Sequence, residues 1–255
     1  MDIKRGKIIF FSGTGNTKYI AKSFEENFKN KDIEIDITSI ENIRRFDIKN
    51  IDFLVIGAPI YADNVPEFFI KWLKENIPYA EKMIPIILFT TQVSTGAGVH
   101  IMERIMTDKN YKVVIKTSFS MPNNYYYAMF SKTPEKRVKE MISNGKNKVE
   151  ELVEKFLQGK EVKDRGTRSR VFLAKAVGKM FSSVGKKQAQ KLTVTEDCIK
   201  CGLCVRKCPS NNIILKDKIT FKENCYVCTR CIHICPVNAI RYKGKKCDQY
   251  NMFLK

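Results

Sequence analysis

The sequence predicts an α/β protein: a doubly wound parallel sheet of five strands, followed by a second, small α+β unit. Three observations carry this. Apolar runs alternate with helical stretches for five rounds from the amino terminus, as they do where crossover helices link parallel strands. The first apolar run passes directly into a glycine-containing loop that opens a helix. The last quarter of the chain holds all nine cysteines, eight of them in two copies of one spacing.

The strands are read near Ile8–Phe11, Ile33–Ile37, Phe53–Gly57, Ile84–Phe89 and Val113–Ser118. Helices fall between them, at Lys18–Phe28, Val65–Asn76 and Ala97–Thr107, with a last one at Pro134–Leu157. Lys7-Ile8-Ile9-Phe10-Phe11 runs into Ser12-Gly13-Thr14-Gly15-Asn16-Thr17. That is the layout of an anion site: glycines let the backbone close in, N–H groups converge, and Ser12, Thr14, Asn16 and Thr17 add donors where the helix dipole is positive. A Walker loop is excluded, since neither its spacing of glycines nor its Gly-Lys-Ser/Thr ending is present. A dinucleotide fingerprint would need a third glycine where Lys18 stands, although Asp36 is a faint match to the ribose acid. An N-capped glycine turn with no ligand stays open as the bland alternative.

In open α/β sheets ligands bind beyond the carboxyl ends of the strands. After the third strand comes Gly57-Ala58-Pro59-Ile60-Tyr61-Ala62-Asp63, and after the fourth Thr90-Thr91-Gln92-Val93-Ser94-Thr95-Gly96. The fifth leads into Met121-Pro122-Asn123-Asn124-Tyr125-Tyr126-Tyr127, readable as a lid, a docking surface or an ordinary aromatic loop. Trp72 is read as core. His100 and His233 lack a partner histidine for a metal site and are read as surface or packing residues.

Residues 158–192 form a basic, glycine-interrupted junction between a domain at 1–157 and one at 193–255. Within it, Ser169–Val184 has an amphipathic helical pattern. Docking on one of the two domains is the preferred reading, with an anionic membrane surface or a partner as rivals.

The cysteine repeat reads Cys-x2-Cys-x2-Cys-x3-Cys-Pro: Cys198, Cys201, Cys204, Cys208 and Pro209, then, 27 residues on, Cys225, Cys228, Cys231, Cys235 and Pro236. Three thiolates at this spacing take three corners of a cubane, and the fourth must come from elsewhere. Zinc and a disulfide framework are the rival readings, and neither explains the proline and the repeat together. Ile213-Ile214-Leu215, Lys216-Asp217-Lys218 and Ile219-Thr220-Phe221 read as a hairpin. Cys247 is read as a spare thiol in a polar tail.

The cysteine pattern resembles that of the bacterial two-cluster ferredoxins. The resemblance implies one [4Fe-4S] cluster on Cys198, Cys201, Cys204 and Cys235, and another on Cys225, Cys228, Cys231 and Cys208. The loop Ser12–Thr17 is similar to the Ser/Thr-x-Thr-Gly-x-Thr signature with which flavodoxins hold the FMN phosphate, and Gly57–Tyr61 resembles their Gly-x-Pro-x-Tyr loop. FMN contacts are therefore expected from Ser12, Gly13, Thr14, Gly15, Asn16 and Thr17 at the phosphate. At the ring they are expected from Pro59, Ile60, Tyr61, Ala62, Thr90, Thr91, Gln92, Asn123, Asn124 and Tyr125. The chain as a whole looks like the flavodoxin–ferredoxin fusion proteins of anaerobes, over roughly residues 5–157 and 193–243.

A formal charge of +19 suggests an anionic partner. Two clusters and a phosphate would remove roughly six units of it, and no nucleic-acid recognition motif accompanies the rest. No signal-like run and no stretch near ~18 apolar residues is present, so a reducing cytoplasm is expected. The favoured function is an electron carrier serving ferredoxin- or flavodoxin-linked oxidoreductases, as a monomer or a head-to-tail homodimer. The rivals are a flavin-dependent reductase of a small acceptor and a binding module with structural clusters.

Overall fold

The computed structural model describes residues 3–93, 96–126, 131–164 and 187–250. They divide into two compact units. The expected helix at 169–184 lies outside the described residues.

The first unit comprises the described residues of Met1–Ser12, Asn16–Pro122 and Thr133–Gly178. Its elements are β1 (Arg5–Phe10), α1 (Asn16–Lys29), β2 (Glu34–Ser39), β3 (Phe53–Pro59), α2 (Glu67–Asn76), β4 (Ile84–Gln92), α3 (Gly98–Asp108), β5 (Tyr111–Ser120), α4 (Glu135–Leu157) and β6 (Val162–Lys163). The sheet order is β2-β1-β3-β4-β5-β6, with every pair parallel. All of β3 is buried, as a parallel strand covered on both faces requires.

Helix α1 turns Ile20, Ala21, Phe24 and Phe28 to the sheet, one face at helical spacing. Their partners are aromatic: Phe28 meets Phe53 at 4.6 Å between ring centroids, and Phe24 meets Phe89 at 5.4 Å. Phe53 continues to Phe156 of α4 at 5.2 Å. Two strand glycines make room for these rings. A Cβ on Gly6 would lie 2.2 Å from the Phe53 ring, and one on Gly57 would lie 2.1 Å from the Phe89 ring. Each glycine sits directly beside its phenylalanine across the ladder.

The differences from the sequence reading are local. Strands β2 to β5 run further at their carboxyl ends than expected, so Thr90, Thr91 and Gln92 belong to β4 and Ala58 and Pro59 to β3. Between β2 and β3 the described structure has one 3-10 turn, Ile40–Asn42, in place of a crossover helix. Trp72 is half-buried, packed edge-on against Phe46, and is not a core residue. The junction contributes a sixth strand: β6 pairs with Ile115 and Lys116. Asp164 locks it, its N–H donating to Lys116 O at 2.8 Å and its carboxylate accepting from Ser118 N at 2.9 Å. A strand of two residues has no periodicity to read.

The second unit comprises the described residues of Gly13–Gly15, Asn123–Lys132 and Lys179–Lys255. β7 (Leu192–Val194) pairs antiparallel with β10 (Ile240–Tyr242), and β8 (Ile213–Leu215) with β9 (Ile219–Phe221), the expected hairpin. Two short helices, α5 (Leu203–Arg206) and α6 (Arg230–Ile234), follow corresponding cysteine loops. The repeat is written into the backbone as well. Lys200 and Val227, Gly202 and Thr229, and Asn211 and Asn238 are pairs 27 residues apart, and all six have φ between 48° and 69°. Turning the backbone left-handed within and just after each run of cysteines lets a short loop curl back on itself.

Cys247, read as a spare thiol, is free and lines neither of the cavities at which the other cysteines gather. It is 4 % exposed and packs with Ile232, Ile240 and Tyr242 in this unit's core, although the flanking residues are polar. The tail around it straps α6: Gln249 Nε2 donates to Ile232 O at 2.8 Å and to Cys235 O at 2.7 Å.

Candidate functional site

In the first unit, the carboxyl ends of β1, β3, β4 and β5 are stitched to one another. Phe11 N donates to Gly57 O at 3.1 Å, Ile60 N to Thr91 O at 2.9 Å, and Met121 N to Gln92 O at 2.8 Å. Side chains expected to face a ligand partly serve this stitching. Thr17 and Thr91 share a hydroxyl hydrogen bond at 2.7 Å, Thr90 bonds Ser118 at 2.9 Å, and Asn16 Nδ2 donates to Pro122 O at 3.0 Å. Thr90 is fully buried. Its hydroxyl therefore ties β4 to β5.

Residues 60–64 form a tight turn of their own. Tyr61 N donates to Asn64 O at 2.7 Å and Asn64 N to Tyr61 O at 3.2 Å, with Ala62 and Asp63 at φ 48° and 67°. This is a type I′ turn without glycine, a strained form usually tolerated where the chain must present a side chain. Gly98 seats it: a Cβ there would lie 2.6 Å from Val65 N. Pro59 is buried, while Ile60, Tyr61 and Ala62 are half-buried. Gln92 Oε1 is buried with no partner among the described residues. An orphaned acceptor at this rim fits a ligand that carries an N–H donor.

In the second unit, Gly13, Thr14 and Gly15 are buried, and Gly15 has φ 106°, a conformation that favours glycine. Gly13 O accepts from Arg230 Nε at 3.0 Å, and Thr14 Oγ1 accepts from Asn124 Nδ2. Asn123 is occupied within its own loop, its amide donating to Ser131 O at 3.0 Å and its Oδ1 accepting from Tyr125 N at 2.9 Å.

His233, read as a surface or packing residue, is 2 % exposed. Its Nδ1 accepts from Tyr250 N at 2.9 Å, so Nε2 carries the proton and donates to Asn124 O at 2.8 Å. Burial pushes its pKa down to about 4, against a smaller upward effect of the Asn124 carbonyl. The ring is neutral.

The cysteines gather at two cavities. One, of about 510 Å³ including its open mouth, is lined by Cys225, Cys228, Cys231 and Cys208, with Ile213 and Phe221 among its apolar walls. The other, of about 350 Å³, is lined by Cys198, Cys201, Cys204 and Cys235, with Val194 and Ile240. Each cavity thus takes three cysteines from one repeat and the fourth from the other. Backbone N–H groups point at three of the sulfurs: Asn212 N lies 3.3 Å from Cys208 Sγ, Val227 N 3.3 Å from Cys225 Sγ and Ala239 N 3.2 Å from Cys235 Sγ.

The electrostatics suit a cationic occupant. Burial pushes the Cys228 thiol up to about 12 and the Cys231 thiol well above its ordinary value, and Cys228, Cys225 and Cys208 push Cys231 further. At Cys204, burial comes first, and the charge of Cys235 weighs more than those of Cys198 and Cys201. Four thiols in an apolar hollow deprotonate only if something positive replaces their protons. A soft, iron-rich centre fits that donor set.

The fold and these two hollows define a doubly wound α/β domain joined to a small cysteine-ligand unit. A family profile for the flavodoxin domain matches residues 7–119, and one for the 4Fe-4S binding domain matches residues 193–214. The chain therefore carries a flavodoxin domain followed by a 4Fe-4S ferredoxin-type domain, and is in general terms an electron-transfer flavo-iron–sulfur protein.

No curated protein sequence matches the chain. Similar solved structures include a flavodoxin from the domain Archaea, 15 % identical over 59 % of this chain and 99 % of its own, with a TM-score of 0.42. Oxidised flavodoxin 2 from Bacillus cereus is 19 % identical over 59 % and 99 %, with a TM-score of 0.44. Megasphaera elsdenii flavodoxin is 16 % identical over 56 % and 98 %, with a TM-score of 0.42. At these values the likenesses add nothing to the domain matches. Among the described residues no helix is long and apolar enough to cross a membrane.

The sequence reading missed Arg230, His233 and the Gln249 strap. Arg230 and His233 stand among the cysteines of the second repeat, and that position is the one signal that marks them.

Proposed function

We propose that the chain binds one FMN and two [4Fe-4S] clusters and passes electrons between them and on to redox protein partners. The carrying observation is the sharing of cysteines between the two cavities, which supports two separate clusters with crossed ligands. Flavins exchange one or two electrons and cubanes exchange one, so a chain holding both collects single electrons and delivers pairs, or the reverse.

The residues divide the work as follows. Ser12–Thr17, at the positive end of α1, bind the FMN phosphate through converging N–H groups and hydroxyls. Pro59–Ala62, Thr90–Gln92 and Asn123–Tyr125 bound the ring, with Gln92 Oε1 as a ready acceptor. Cys198, Cys201, Cys204 and Cys235 hold one cluster, and Cys225, Cys228, Cys231 and Cys208 the other. The N–H groups of Asn212, Val227 and Ala239, which donate to the sulfurs of Cys208, Cys225 and Cys235, stabilise charge on those sulfurs and so raise the reduction potential. Residues 1–157 form the flavin domain, 158–192 the junction and 193–255 the cluster domain. The reducing cytoplasm remains the proposed setting.

Anaerobic purification with flavin and iron analysis tests the cofactors. FMN and two clusters per chain are expected, and FAD or a single cluster would contradict the reading. Rapid mixing with a one-electron donor is expected to give loss of cluster absorbance, then flavin bleaching at a rate independent of protein concentration. Unchanged flavin reduction in a chain lacking both clusters would refute internal transfer.

A further inference from the structure

Gly13–Gly15 belong to the same compact unit as the second cysteine repeat, and two residues of helix α6 in that repeat hold this loop. Arg230 stands between Cys228 and Cys231. Its Nε donates to Gly13 O at 3.0 Å while its Nη1 donates to Lys207 O at 2.8 Å, which fixes the guanidinium plane from two sides. His233 stands between Cys231 and Cys235. Its Nε2–H donates to Asn124 O at 2.8 Å, and the Asn124 side chain in turn donates to Thr14 Oγ1.

These bonds have a geometric consequence. In a trans peptide the C=O of one residue and the N–H of the next point in opposite directions. Drawing Gly13 O onto Arg230 therefore turns Thr14 N–H the other way. Because Thr14 Oγ1 accepts from Asn124, its own proton is left to donate elsewhere. Two donors of the loop, Thr14 N–H and Thr14 O–H, are thus aimed by Arg230 and Asn124.

We propose that Arg230 is a positioning residue for the phosphate-binding loop, with Asn124, oriented by the His233 ring, as its second support. Retention of the FMN phosphate then depends on the second cysteine repeat being folded around its cluster. The proposal rests on the FMN reading above. Helix α6 has five residues, too few to be stable by itself, so its shape follows the cysteines on either side. The dependence is reciprocal: whatever the cluster contributes to phosphate binding, the phosphate returns to cluster retention.

Riboflavin, which lacks the phosphate, separates this from general damage. Full-length, cluster-loaded protein stripped of flavin is titrated anaerobically with FMN and with riboflavin, in wild type and in Arg230→Gln. FMN affinity is expected to fall about tenfold, the usual effect of losing a charged hydrogen bond, with riboflavin affinity nearly unchanged. Arg230→Lys, which keeps a charged donor, should recover part of the loss.

Equal weakening of both ligands, or of neither, overturns the proposal. If Arg230→Gln fails to hold iron, Asn124→Ala is read as a ratio: its amide bonds Thr14, and because Asn124 also bounds the ring, riboflavin affinity falls too while FMN affinity is expected to fall further. A lower ratio of FMN to riboflavin affinity there supports the idea, and an unchanged ratio refutes it. A wild type that does not prefer FMN to riboflavin refutes the FMN assignment itself, and with it this proposal.

Discussion

Thr229 is a β-branched residue with φ 61° and ψ −1°, in a region that favours glycine, and 27 residues earlier Gly202 holds φ 69° and ψ 4°. Thr229 Oγ1 is also buried without a partner among the described residues. Thr229→Gly should therefore stabilise the cluster-loaded protein. Relief of backbone strain contributes about 2 kcal/mol, and removal of an unsatisfied hydroxyl about 1 kcal/mol. Against this stand about 1 kcal/mol for the extra freedom of glycine in the unfolded chain and about 1 kcal/mol for the lost methyl burial. The net gain is about 1 kcal/mol, close to a fivefold change in the folded ratio.

The assay is anaerobic denaturation followed by cluster absorbance, read as a half-life at fixed denaturant because cluster loss is irreversible. The half-life should lengthen by up to about fivefold. The reverse change, Gly202→Thr, should shorten it, since a Cβ there meets Arg206 Nη1 at 3.0 Å, the atom that donates to Cys201 O at 2.9 Å. A shorter half-life for Thr229→Gly, or shifts of the same sign for both changes, would refute the strain argument.

Cys208→Ala should remove about half of the iron and spare the centre on Cys198, Cys201, Cys204 and Cys235. Residue-assigned paramagnetic NMR showing damage to the first triplet would disprove the crossing. Gly57→Ala should destabilise the flavin domain by about 1–3 kcal/mol, because the Phe89 ring it strikes at 2.1 Å is fully buried between Phe24 and Phe119. A denaturant midpoint equal to that of wild type would count against it.

Asp52 accepts from Lys4 N and Arg5 N at 2.8 Å each, and the Lys4 bond comes first among the causes that hold its carboxyl below the usual range. A folded pKa below the unfolded one stabilises the chain above the unfolded value, near 4, and that stability is lost as pH falls through the folded value. Asp52→Asn should cost about 1 kcal/mol at pH 7 after solvent screening, and a smaller difference below pH 4. A difference that grows on acidification would show the sign to be wrong.

The sequence by itself determined the order of strands and helices of the flavodoxin domain, because buried parallel strands and amphipathic helices print their periods directly on the chain. It also marked the eight cysteines that line the two cavities, since they repeat at fixed intervals. The tertiary structure decided what no local pattern encodes. Strand β6 exists because Asp164 and its neighbours find the open edge of β5. Cys247 is buried because distant residues close over it, despite polar neighbours in sequence. Thr90 turns out to tie β4 to β5 and Thr17 to tie the start of α1 to β4, because a hydroxyl in a loop motif looks the same whether it meets a ligand or another hydroxyl. Arg230 and His233 acquire their partners, Gly13 and Asn124, only when segments more than a hundred residues apart meet. Such contacts depend on chain topology, which spacing along the sequence does not record.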